Sequence, residues 1–201
     1  MVLIKKVLKE LVEWIIVFAT AFILVLILNT AVFATTQVRQ SSMKDTLIEG
    51  QHLLIEKVSY LFKAPERGDI IVFLETKYPK NYIEKVQIFL KDVSEILEPA
   101  ETKTNIRLVK RIIAIPGDEV DIHDGKVYLN GNELKEDYAK GVTYKREVQF
   151  PLKVEEGQYF VLGDNREVSK DSRSIGVIEE CQIEGRAVFR IWPLSKFGTL
   201  K

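Results

Sequence analysis

The chain has 201 residues and equal numbers of basic and acidic side chains, 29 Lys plus Arg and 29 Asp plus Glu, so its formal net charge at pH 7 is +0. This balance removes the overall positive field that favours nucleic acid, and we expect no nucleic-acid partner. A hydrophobic fraction of 46% supports a packed core and excludes a disordered polymer. The single cysteine, Cys181, excludes an internal disulfide, and two histidines are too few for a multi-histidine centre, so we expect no metal and no cofactor.

The first predicted element is a helix that crosses a membrane. Residues 14–34 include no charged side chain, and a helix needs about 20 apolar residues to cross about 30 Å of hydrocarbon. A core helix of a soluble domain would show a polar face, which this segment lacks. The pattern therefore predicts a transmembrane anchor over residues 13–34.

The charges beside the anchor predict its orientation. Three lysines precede it and two cations follow it, namely Lys5, Lys6 and Lys9, then Arg39 and Lys44. Because Lys and Arg collect on the cytoplasmic side, residues 1–12 are expected in the cytoplasm and residues 35–201 outside the cell membrane. A cleaved secretory signal is the alternative, but its apolar region would have about 7–15 residues and end at a small-residue site, which residues 31–34 match only loosely. We therefore expect an uncleaved, single-pass anchor with the lipid bilayer as a partner.

Beyond the anchor, short apolar stretches alternate with turn signals, which is typical of a mainly β, antiparallel domain. The predicted strands are 52–58, 69–73, 107–115, 119–122, 126–129, 159–162 and 187–192. Asp124-Gly125 and Asn130-Gly131 are tight-turn signals, so residues 120–134 are predicted to form consecutive hairpins.

One segment breaks the β pattern between two predicted strands. Apolar residues over 82–97 recur mostly at three- and four-residue steps, which predicts an amphipathic helix ending near Pro99. This helix forms an insertion at about 80–100. It can pack on the β core or lie on the membrane surface, and the mixed charge of its polar face favours packing on the core.

The predicted strand 107–115 carries a lysine in an apolar row. Side chains alternate along a strand, so Lys110 shares a face with Leu108, Ile112 and Ala114 and is the one cation there. If this face packs inward, desolvation lowers the lysine pKa, and a neutral lysine is a general base. The strand alone favours the ordinary alternative, in which the stem packs on the sheet while the ammonium reaches water.

Two adjacent serines, Ser41 and Ser42, follow the predicted anchor. A serine hydroxyl is a weak nucleophile unless a neighbouring base accepts its proton, and Lys110 is a candidate for that base. Taken alone, the serine pair is equally compatible with an ordinary loop or with the cap of a helix that begins at Met43.

Five segments, in chain order, resemble the motifs of the bacterial type I signal peptidases, membrane-anchored Ser/Lys endopeptidases that remove signal peptides from exported preproteins. Residues 42–47 (SMKDTL) resemble Ser-Met-x-Pro-Thr-Leu, and residues 163–176 (GDNREVSKDSRSIG) match Gly-Asp-Asn-Arg-x-x-Ser-x-Asp-Ser-Arg-x-x-Gly at every fixed position. The others are 67–73 (RGDIIVF), 110–118 (KRIIAIPGD) and 190–193 (RIWP). Each motif alone is weak, but their shared order behind an N-terminal anchor is specific, and the resemblance spans nearly the whole chain.

The resemblance implies a signal-peptidase-like antiparallel β fold with a Ser/Lys dyad. Ser42 would be the nucleophile, Lys110 would be the general base, and Ser169 would hydrogen-bond the lysine and orient it. The resemblance also implies charged pairs that brace the site: Asp171 with Arg173, and Asp164 with Arg111. For these four residues we favour a structural role without a part in the chemistry.

Acyl transfer also needs hydrogen-bond donors for the developing oxyanion. The backbone N–H of Ser42 is one candidate. Two residues earlier the family commonly has a serine or a glycine, whereas this chain has Gln40, whose side-chain amide is the second candidate donor. A further departure is Asp45 in place of the usual proline. The departures at Gln40 and Asp45 affect the expected rate and specificity of cleavage more than the identification of the family.

The resemblance implies that the partners are secreted preproteins with small side chains at the first and third positions before the cut. Such a substrate would lie extended against a sheet edge, near Ser42 and the strand of Lys110. Two alternatives stay open. One is a self-cleaving repressor relative of the same fold, against which the anchor and residues 163–176 argue. The other is a catalytically weak, membrane-tethered protein that binds signal peptides or acts as a scaffold. The departures from the family motif at Gln40 and Asp45 are the features that favour this alternative.

Overall fold

The computed structural model describes residues 2–75, 79, 81–94 and 106–200. Over these residues the chain is mainly antiparallel β, with an apolar N-terminal helix and one inserted helix. The predicted fold class is therefore confirmed.

Helix α1 spans Val2–Ile27 and continues as a π-helical turn, Leu28–Val32. Within them, Ile4–Val32 is a candidate membrane span by length and composition, and its most apolar window is not buried against the described chain. The predicted anchor, 13–34, runs past the helix end, because Phe33 and Ala34 already belong to strand β1, Phe33–Gln37. Residues 2–12, predicted as a separate N-terminal segment, continue the same helix.

The strands form two antiparallel sheets. The remaining strands are β2 His52–Glu56, β3 Ile70–Leu74, β4 Arg107–Ala114, β5 Glu119–His123, β6 Lys126–Leu129, β7 Asn132–Glu133, β8 Leu152–Lys153, β9 Gln158–Leu162, β10 Ile178–Glu179, β11 Ile183–Trp192 and β12 Gly198–Thr199. The larger sheet has the order β1-β2-β11-β3-β4-β9-β10, with β12 on β11, and the smaller sheet has the order β7-β6-β5-β8. All pairs between these strands are antiparallel. Two further helices are α2, Tyr82–Ser94, and α3, Ser172–Ile175.

All seven predicted strands are present, and the largest difference is β11, which begins at Ile183 instead of residue 187. The hairpins predicted over 120–134 are also confirmed as β5-β6 and β6-β7. Asp124 and Asn130 have φ of 52°, and the glycine after each is also positive. Two-residue hairpin turns need this left-handed backbone at both positions, which explains the Asp-Gly and Asn-Gly pairs.

Three clusters of buried side chains form the core. One lies on the larger sheet around Ile71, Phe73 and Tyr159, and a second joins the two sheets around Val120 and Phe160. The third contains Val38, Met43, Leu47, Leu53, Ile70 and Ala187. It lies directly beneath the short 3-10 turn Ser41–Met43 that follows β1. Burial of Met43 and Leu47 therefore fixes the position of Ser42, since each fully buried side chain of this size contributes about 1.5–3 kcal/mol.

Strand β4 alternates as predicted only in its first part. Leu108 and Ile112 pack in the first cluster, whereas Ala114 packs with Ile113 in the second. The pairing of β4 with β9 shifts register between Ile112 and Ala114. A β-bulge adds one residue and changes which side chains share a face, so the predicted shared face of Lys110 and Ala114 is wrong.

Helix α2 lies between β3 and β4, as the predicted insertion does, and residues 95–97 of that prediction fall outside the described residues. None of its described side chains is buried. At its start, the Tyr82 and Thr30 hydroxyls lie 2.9 Å apart, which joins α2 to the π-helical turn at the end of α1. The expected packing of this helix into the β core is therefore not what the structure shows.

Candidate active site

The structure brings Ser42 and Lys110 into contact. The Lys110 Nζ lies 2.7 Å from the Ser42 Oγ, although the two residues are far apart in the sequence. Ser42 comes from the 3-10 turn after β1, and Lys110 comes from the middle of β4. The side chain of Lys110 has no exposed surface, which excludes the alternative of a lysine that reaches water.

Backbone contacts hold Ser42 at this position. The backbone N–H of Asn165 donates to the Ser42 carbonyl at 2.9 Å, and the Asn165 Nδ2 donates to the Ser41 carbonyl at 3.1 Å. Gly163 permits the close approach, because a Cβ on it would lie 2.5 Å from the Ser42 carbonyl oxygen and 2.2 Å from the Ser169 Oγ. The segment 163–165 therefore forms a backbone support behind the serine.

Burial changes the electrostatics of Lys110. Desolvation lowers the pKa of its ammonium from 10.5 to about 8, while the charges of Asp171, Glu75 and Asp164 act in the opposite direction. Its hydrogen-bond partners in the described chain are the Ser42 Oγ and, at 3.1 Å, the Val109 carbonyl. A buried amine of this kind releases its proton near neutral pH far more readily than an ordinary lysine.

Asp171 and Arg173 form a buried, two-point ion pair. The Arg173 Nε donates to the Asp171 Oδ1 at 2.8 Å, and the Arg173 Nη2 donates to the Asp171 Oδ2 at 2.9 Å. The Asp171 Oδ2 also accepts the backbone N–H of Gly163 at 3.1 Å. Burial alone would raise the pKa of the Asp171 carboxyl, but the hydrogen bonds and charge of Arg173 outweigh it and lower this pKa. The pair therefore connects the loop 163–173 to the backbone behind Ser42.

Ser169 lies behind the dyad without the hydrogen bond expected for it. Its Oγ is buried against Gly163 and makes no hydrogen bond to Lys110. The bond to Lys110 is absent because the ammonium is directed at Ser42 and at the Val109 carbonyl instead. The hydrogen bond expected between Ser169 and Lys110 is therefore not present, and the orienting role of Ser169 stays a prediction.

Arg111 and Asp164 make the pairing that the resemblance implied. The Arg111 Nε and Nη2 donate to the two Asp164 carboxylate oxygens at 3.0 and 2.8 Å, and both side chains are buried. Thr46, four residues after Ser42, donates to the same carboxylate at 2.5 Å. Removing one partner of a buried ion pair typically costs about 3–5 kcal/mol. Through Thr46 this pair therefore connects the segment that contains Ser42 with β4 and the loop 163–173, and loss of either charged partner would leave the other buried and unpaired.

Some partners of the site had no signal in the sequence. The Arg166 guanidinium is buried and donates to the Glu136 carboxylate at 2.6 and 2.8 Å and to the Thr143 Oγ1 at 2.7 Å. The Arg111 guanidinium stacks 4.0 Å from the centre of the Tyr138 ring. These contacts tie residues 136–143 to the site.

The two candidate oxyanion donors lie at the mouth of the site. The backbone N–H of Ser42 makes no hydrogen bond to any described residue, so it is available to a ligand. Gln40 is extended, with φ −131° and ψ 154°, and its exposed side chain has no hydrogen-bond partner in the described chain. Both residues line the cleft, so a backbone donor and an exposed side-chain amide are candidates for contact with a ligand bound there.

Asp45 adopts a backbone conformation that proline cannot. Its φ is 86°, whereas the proline ring holds φ near −65°. Its carboxylate lies 3.0 Å from the ammonium of Lys140, and both side chains are exposed. Such surface pairs contribute about 0–1 kcal/mol. The backbone at Asp45 therefore differs from the backbone that the proline of the family motif would adopt at this position.

A cleft of about 1030 Å³ opens in front of the dyad. The segment after β1 and the beginning of β4 both line it, through Gln40, Ser42, Arg107 and Val109. In the described residues β1 is an edge strand, and residues 108–110 of β4 pair with β3, while pairing with β9 begins at Arg111. Strand edges of this kind can hydrogen-bond an extended peptide.

The chain resembles known proteins along most of its length. The sequence pattern of the family described as "Signal peptidase, peptidase S26" matches residues 11–192. Signal peptidase IB of Staphylococcus aureus strain Mu50 is 32% identical over 205 residues, which cover 94% of this chain and 93% of that protein. A probable signal peptidase I-2 of Synechocystis sp. is 38% identical over 184 residues, which cover 90% of this chain and 73% of that protein. A crystal structure of a signal peptidase I from Enterococcus faecalis V583 is 33% identical, covers 62% of this chain and 97% of that one, and has a TM-score of 0.41.

Proposed function

Because the chain belongs to the signal peptidase family, peptidase S26, we propose that it is a membrane-anchored serine endopeptidase that removes N-terminal signal peptides from secreted preproteins with a Ser42–Lys110 dyad. The observation that carries the proposal is the 2.7 Å contact between the buried Lys110 Nζ and the Oγ of Ser42, a residue that lines a large cleft. A serine hydroxyl beside a desolvated amine is the arrangement that nucleophilic catalysis needs.

The dyad accounts for each proton in acyl transfer. Neutral Lys110 accepts the proton of the Ser42 hydroxyl while the oxygen attacks the scissile carbonyl carbon. The electron pair of the carbonyl moves to its oxygen, where the backbone N–H of Ser42 and the Gln40 amide donate hydrogen bonds. The C–N bond then breaks, and the Lys110 ammonium protonates the amine that becomes the new N-terminus. Lys110 then deprotonates a water molecule, which attacks the ester carbonyl carbon. The C–O bond to Ser42 breaks, the Lys110 ammonium returns the proton to the Ser42 oxygen, and the signal peptide is released.

The lowered pKa makes Lys110 a usable base near neutral pH. With a pKa of about 8, about a tenth of the amine is neutral at pH 7. At the ordinary pKa of 10.5 that fraction would be about one in three thousand. Burial therefore raises the concentration of the reactive form about 300-fold, which is a large share of what general-base catalysis contributes.

We assign the residues behind the dyad to positioning. Asp171 and Arg173 hold the loop that contains Gly163, and this loop supports the Ser42 backbone. Ser169 is assigned an orienting role toward Lys110. Its buried hydroxyl, which lies against Gly163 behind the Ser42 backbone, supports that role.

The proposed enzyme is a single-pass protein of the cell membrane, with its N-terminus in the cytoplasm and residues 35–201 outside. The apolar helix Ile4–Val32 supports a membrane anchor, and the excess of lysines before it supports the orientation. Only a few residues separate this helix from Ser42, so the dyad would act close to the outer leaflet. Tethering there raises the effective concentration of the enzyme toward substrates whose apolar segment lies in the same membrane.

The proposed substrates are preproteins with small side chains at the first and third positions before the cut. Their backbone would lie extended between the segment after β1 and the edge of β4, which offer hydrogen-bond groups on both sides. Backbone pairing of this kind gives affinity, and side-chain pockets give selectivity.

The test is cleavage of a preprotein by the full-length chain in detergent, with the new N-terminus mapped by mass spectrometry. We expect one cut, between the signal peptide and the mature protein, with small side chains at the first and third positions before it. The Ser42→Ala protein, purified in the same way, is the control for contaminating proteases. No new N-terminus, or the same one in the control, would contradict the proposed activity and leave the alternative of a protein that binds signal peptides without cutting them.

Replacement of Gln40 with alanine tests the second oxyanion donor. We expect kcat to fall about tenfold or more with little change in KM, because the amide would bond the oxyanion in the transition state and not the bound substrate. Gln37→Ala is the matched control, since Gln37 is also an exposed glutamine that lines the cleft. Equal rates for the two variants would assign the second donor to another group.

A further inference from the structure

Helix α2 forms one wall of the cleft that contains Ser42. Tyr82, Lys85, Phe89 and Val93 all line this cleft and follow one another at three- and four-residue steps. Because residues at these spacings share one face of a helix, a single face of α2 is turned toward the cleft. The helical insertion is therefore part of the active-site cleft, in addition to its contact with the end of α1.

The same helix has a second apolar surface outside the cleft. Ile83 and Leu90 are 68% and 43% exposed, and they are not among the residues that line the cleft. Phe89, by contrast, is half-buried and lines it. The adjacent residues Phe89 and Leu90 therefore differ, because the apolar side chain of Phe89 lines the cleft and that of Leu90 does not.

The cleft extends from the dyad to the end of the apolar helix α1. Thr30, Ala31 and Ala34, at the π-helical turn and the beginning of β1, line the same cleft as Ser42. The contact between the Tyr82 and Thr30 hydroxyls, 2.9 Å long, fixes the start of α2 at this end. The cleft thus connects the reacting serine with the place where the candidate membrane span ends.

The chemistry of this extension favours an apolar peptide. Apolar side chains line it from both sides of the cleft, namely Ala31, Ala34, Ile88, Phe89, Val93 and Ile106. A volume of about 1030 Å³ is also larger than two small side chains beside the scissile bond would fill. The residues beyond these two positions therefore have a surface to bind. The part formed by these six side chains is apolar, although Lys85 on α2 and Arg107 on β4 line the cleft as well.

We propose that the cleft-facing side of α2, centred on Ile88, Phe89 and Val93, binds the apolar segment of the signal peptide upstream of the scissile bond and selects substrates by the hydrophobicity of that segment. The inference rests on the proposed function, because the occupant is the substrate of the Ser42–Lys110 dyad. The apolar segment of a signal peptide lies in the membrane, and the cleft leads from the dyad to the end of the membrane-spanning helix.

The test compares two substrates in detergent with the full-length chain. One is a preprotein with its complete signal peptide, and the other is a short peptide that includes only the residues next to the same cleavage site. For Phe89→Ser we expect kcat/KM to fall about tenfold on the preprotein, since the ring loses its apolar contact with the signal peptide. On the short peptide we expect a change of less than about twofold, because that peptide does not reach α2.

Leu90→Ser is the matched control. It introduces the same side chain at the adjacent position of the same helix, so its effect on helix propensity is similar. Leu90 is not among the residues that line the cleft, and we expect both substrates to be cut at the rate of the unmodified protein. A loss on the preprotein as large as that of Phe89→Ser would contradict the inference, because the effect would then not depend on the cleft-facing side.

A binding measurement separates this inference from the proposed function. A fluorescently labelled signal peptide is titrated into detergent-solubilised Ser42→Ala protein with and without Phe89→Ser, and we expect Kd to rise about tenfold with the second change. If the unmodified protein cuts neither substrate but Kd still depends on Phe89, the proposed activity fails and the binding surface stands. An unchanged Kd, or an equal loss of kcat/KM on both substrates, would overturn the inference.

Discussion

Replacing Ser42 with alanine is expected to lower kcat/KM for preprotein cleavage by about 10⁴-fold or more. The substitution removes the oxygen that we propose forms the acyl-enzyme, and loss of the nucleophile in a serine peptidase has an effect of this size. The fold should persist, because the Ser42 segment is held by its backbone contacts with Asn165 and by the buried side chain of Met43, not by the hydroxyl. The measurement is the initial rate of cleavage together with a thermal unfolding curve.

The adjacent serine provides the control for this prediction. Ser41 is exposed, and its hydroxyl lies outside the contact with Lys110. We expect Ser41→Ala to keep a rate within a few-fold of the unmodified protein. Persistent cleavage in Ser42→Ala, or an equal loss in Ser41→Ala, would show that Ser42 is not the nucleophile.

The local pattern of apolar residues and turn signals predicts most of the strands in the two sheets. The strands show alternating or continuous apolar residues bounded by turns, and the Asp-Gly and Asn-Gly pairs predict hairpins because of their left-handed backbone. Strand β1 was missed because Phe33 and Ala34 continue the apolar composition of the helix before them. What ends the helix there is the pairing of β1 with β2, a contact that no local pattern records.

The contact between Ser42 and Lys110 is predicted by the family resemblance more than by the periodicity of the sequence. The alternation in β4 marked Lys110 as a cation in an apolar row, but that row alone favoured an ordinary, water-reaching lysine. Its complete burial and its contact with Ser42 depend on tertiary structure, because Ser42 is distant from Lys110 in the sequence. The bulge after Ile112 could not be predicted from the sequence either, because an extra residue in a strand is defined by the register of the neighbouring strand.

For helix α2, too, the sequence predicts the element but not its tertiary contacts. Its apolar spacing predicted a helix but could not distinguish a core, a membrane surface and a cleft as the environment of the apolar face. The structure places one part of that face on the cleft and leaves the part around Ile83 exposed. Likewise, the partners of Arg166 and Arg111, Glu136 and Tyr138, are fixed only by tertiary structure.

Replacing Lys110 with methionine is expected to abolish cleavage and also to stabilise the fold at neutral pH. In the folded chain the pKa of Lys110 is about 8, against 10.5 for an ordinary lysine. Below pH 8 the ammonium is charged in both the folded and the unfolded chain, and its burial then costs on the order of 3 kcal/mol. Methionine has a similar length and no charge, so it removes this cost together with the general base.

The sign of the pH dependence follows from the lowered pKa. Between about pH 8 and 10.5 the unfolded chain holds a proton that the folded chain has released, so the free energy of unfolding of the unmodified protein rises with pH in this window. Its kcat/KM should rise through the same pKa, with a midpoint near pH 8, because the neutral amine is the reactive form. The advantage of Lys110→Met in stability should therefore be largest below pH 8 and shrink above it.

Urea unfolding at about pH 6.5 and pH 9.5 measures the stability difference, and kcat/KM over the same range measures the activity. Lys135→Met is the control, since Lys135 is exposed and its replacement should leave both pH profiles unchanged. A rate that is flat from acid to alkaline pH would contradict a lysine base. A Lys110→Met protein that is less stable than the unmodified chain at pH 6.5 would show that the ammonium is stabilised by its neighbours Asp171, Glu75 and Asp164 more than burial destabilises it. In the proposed mechanism, catalysis and the loss of stability arise from the same buried amine. The pH profiles of kcat/KM and of the free energy of unfolding should therefore shift together in any variant that changes its burial.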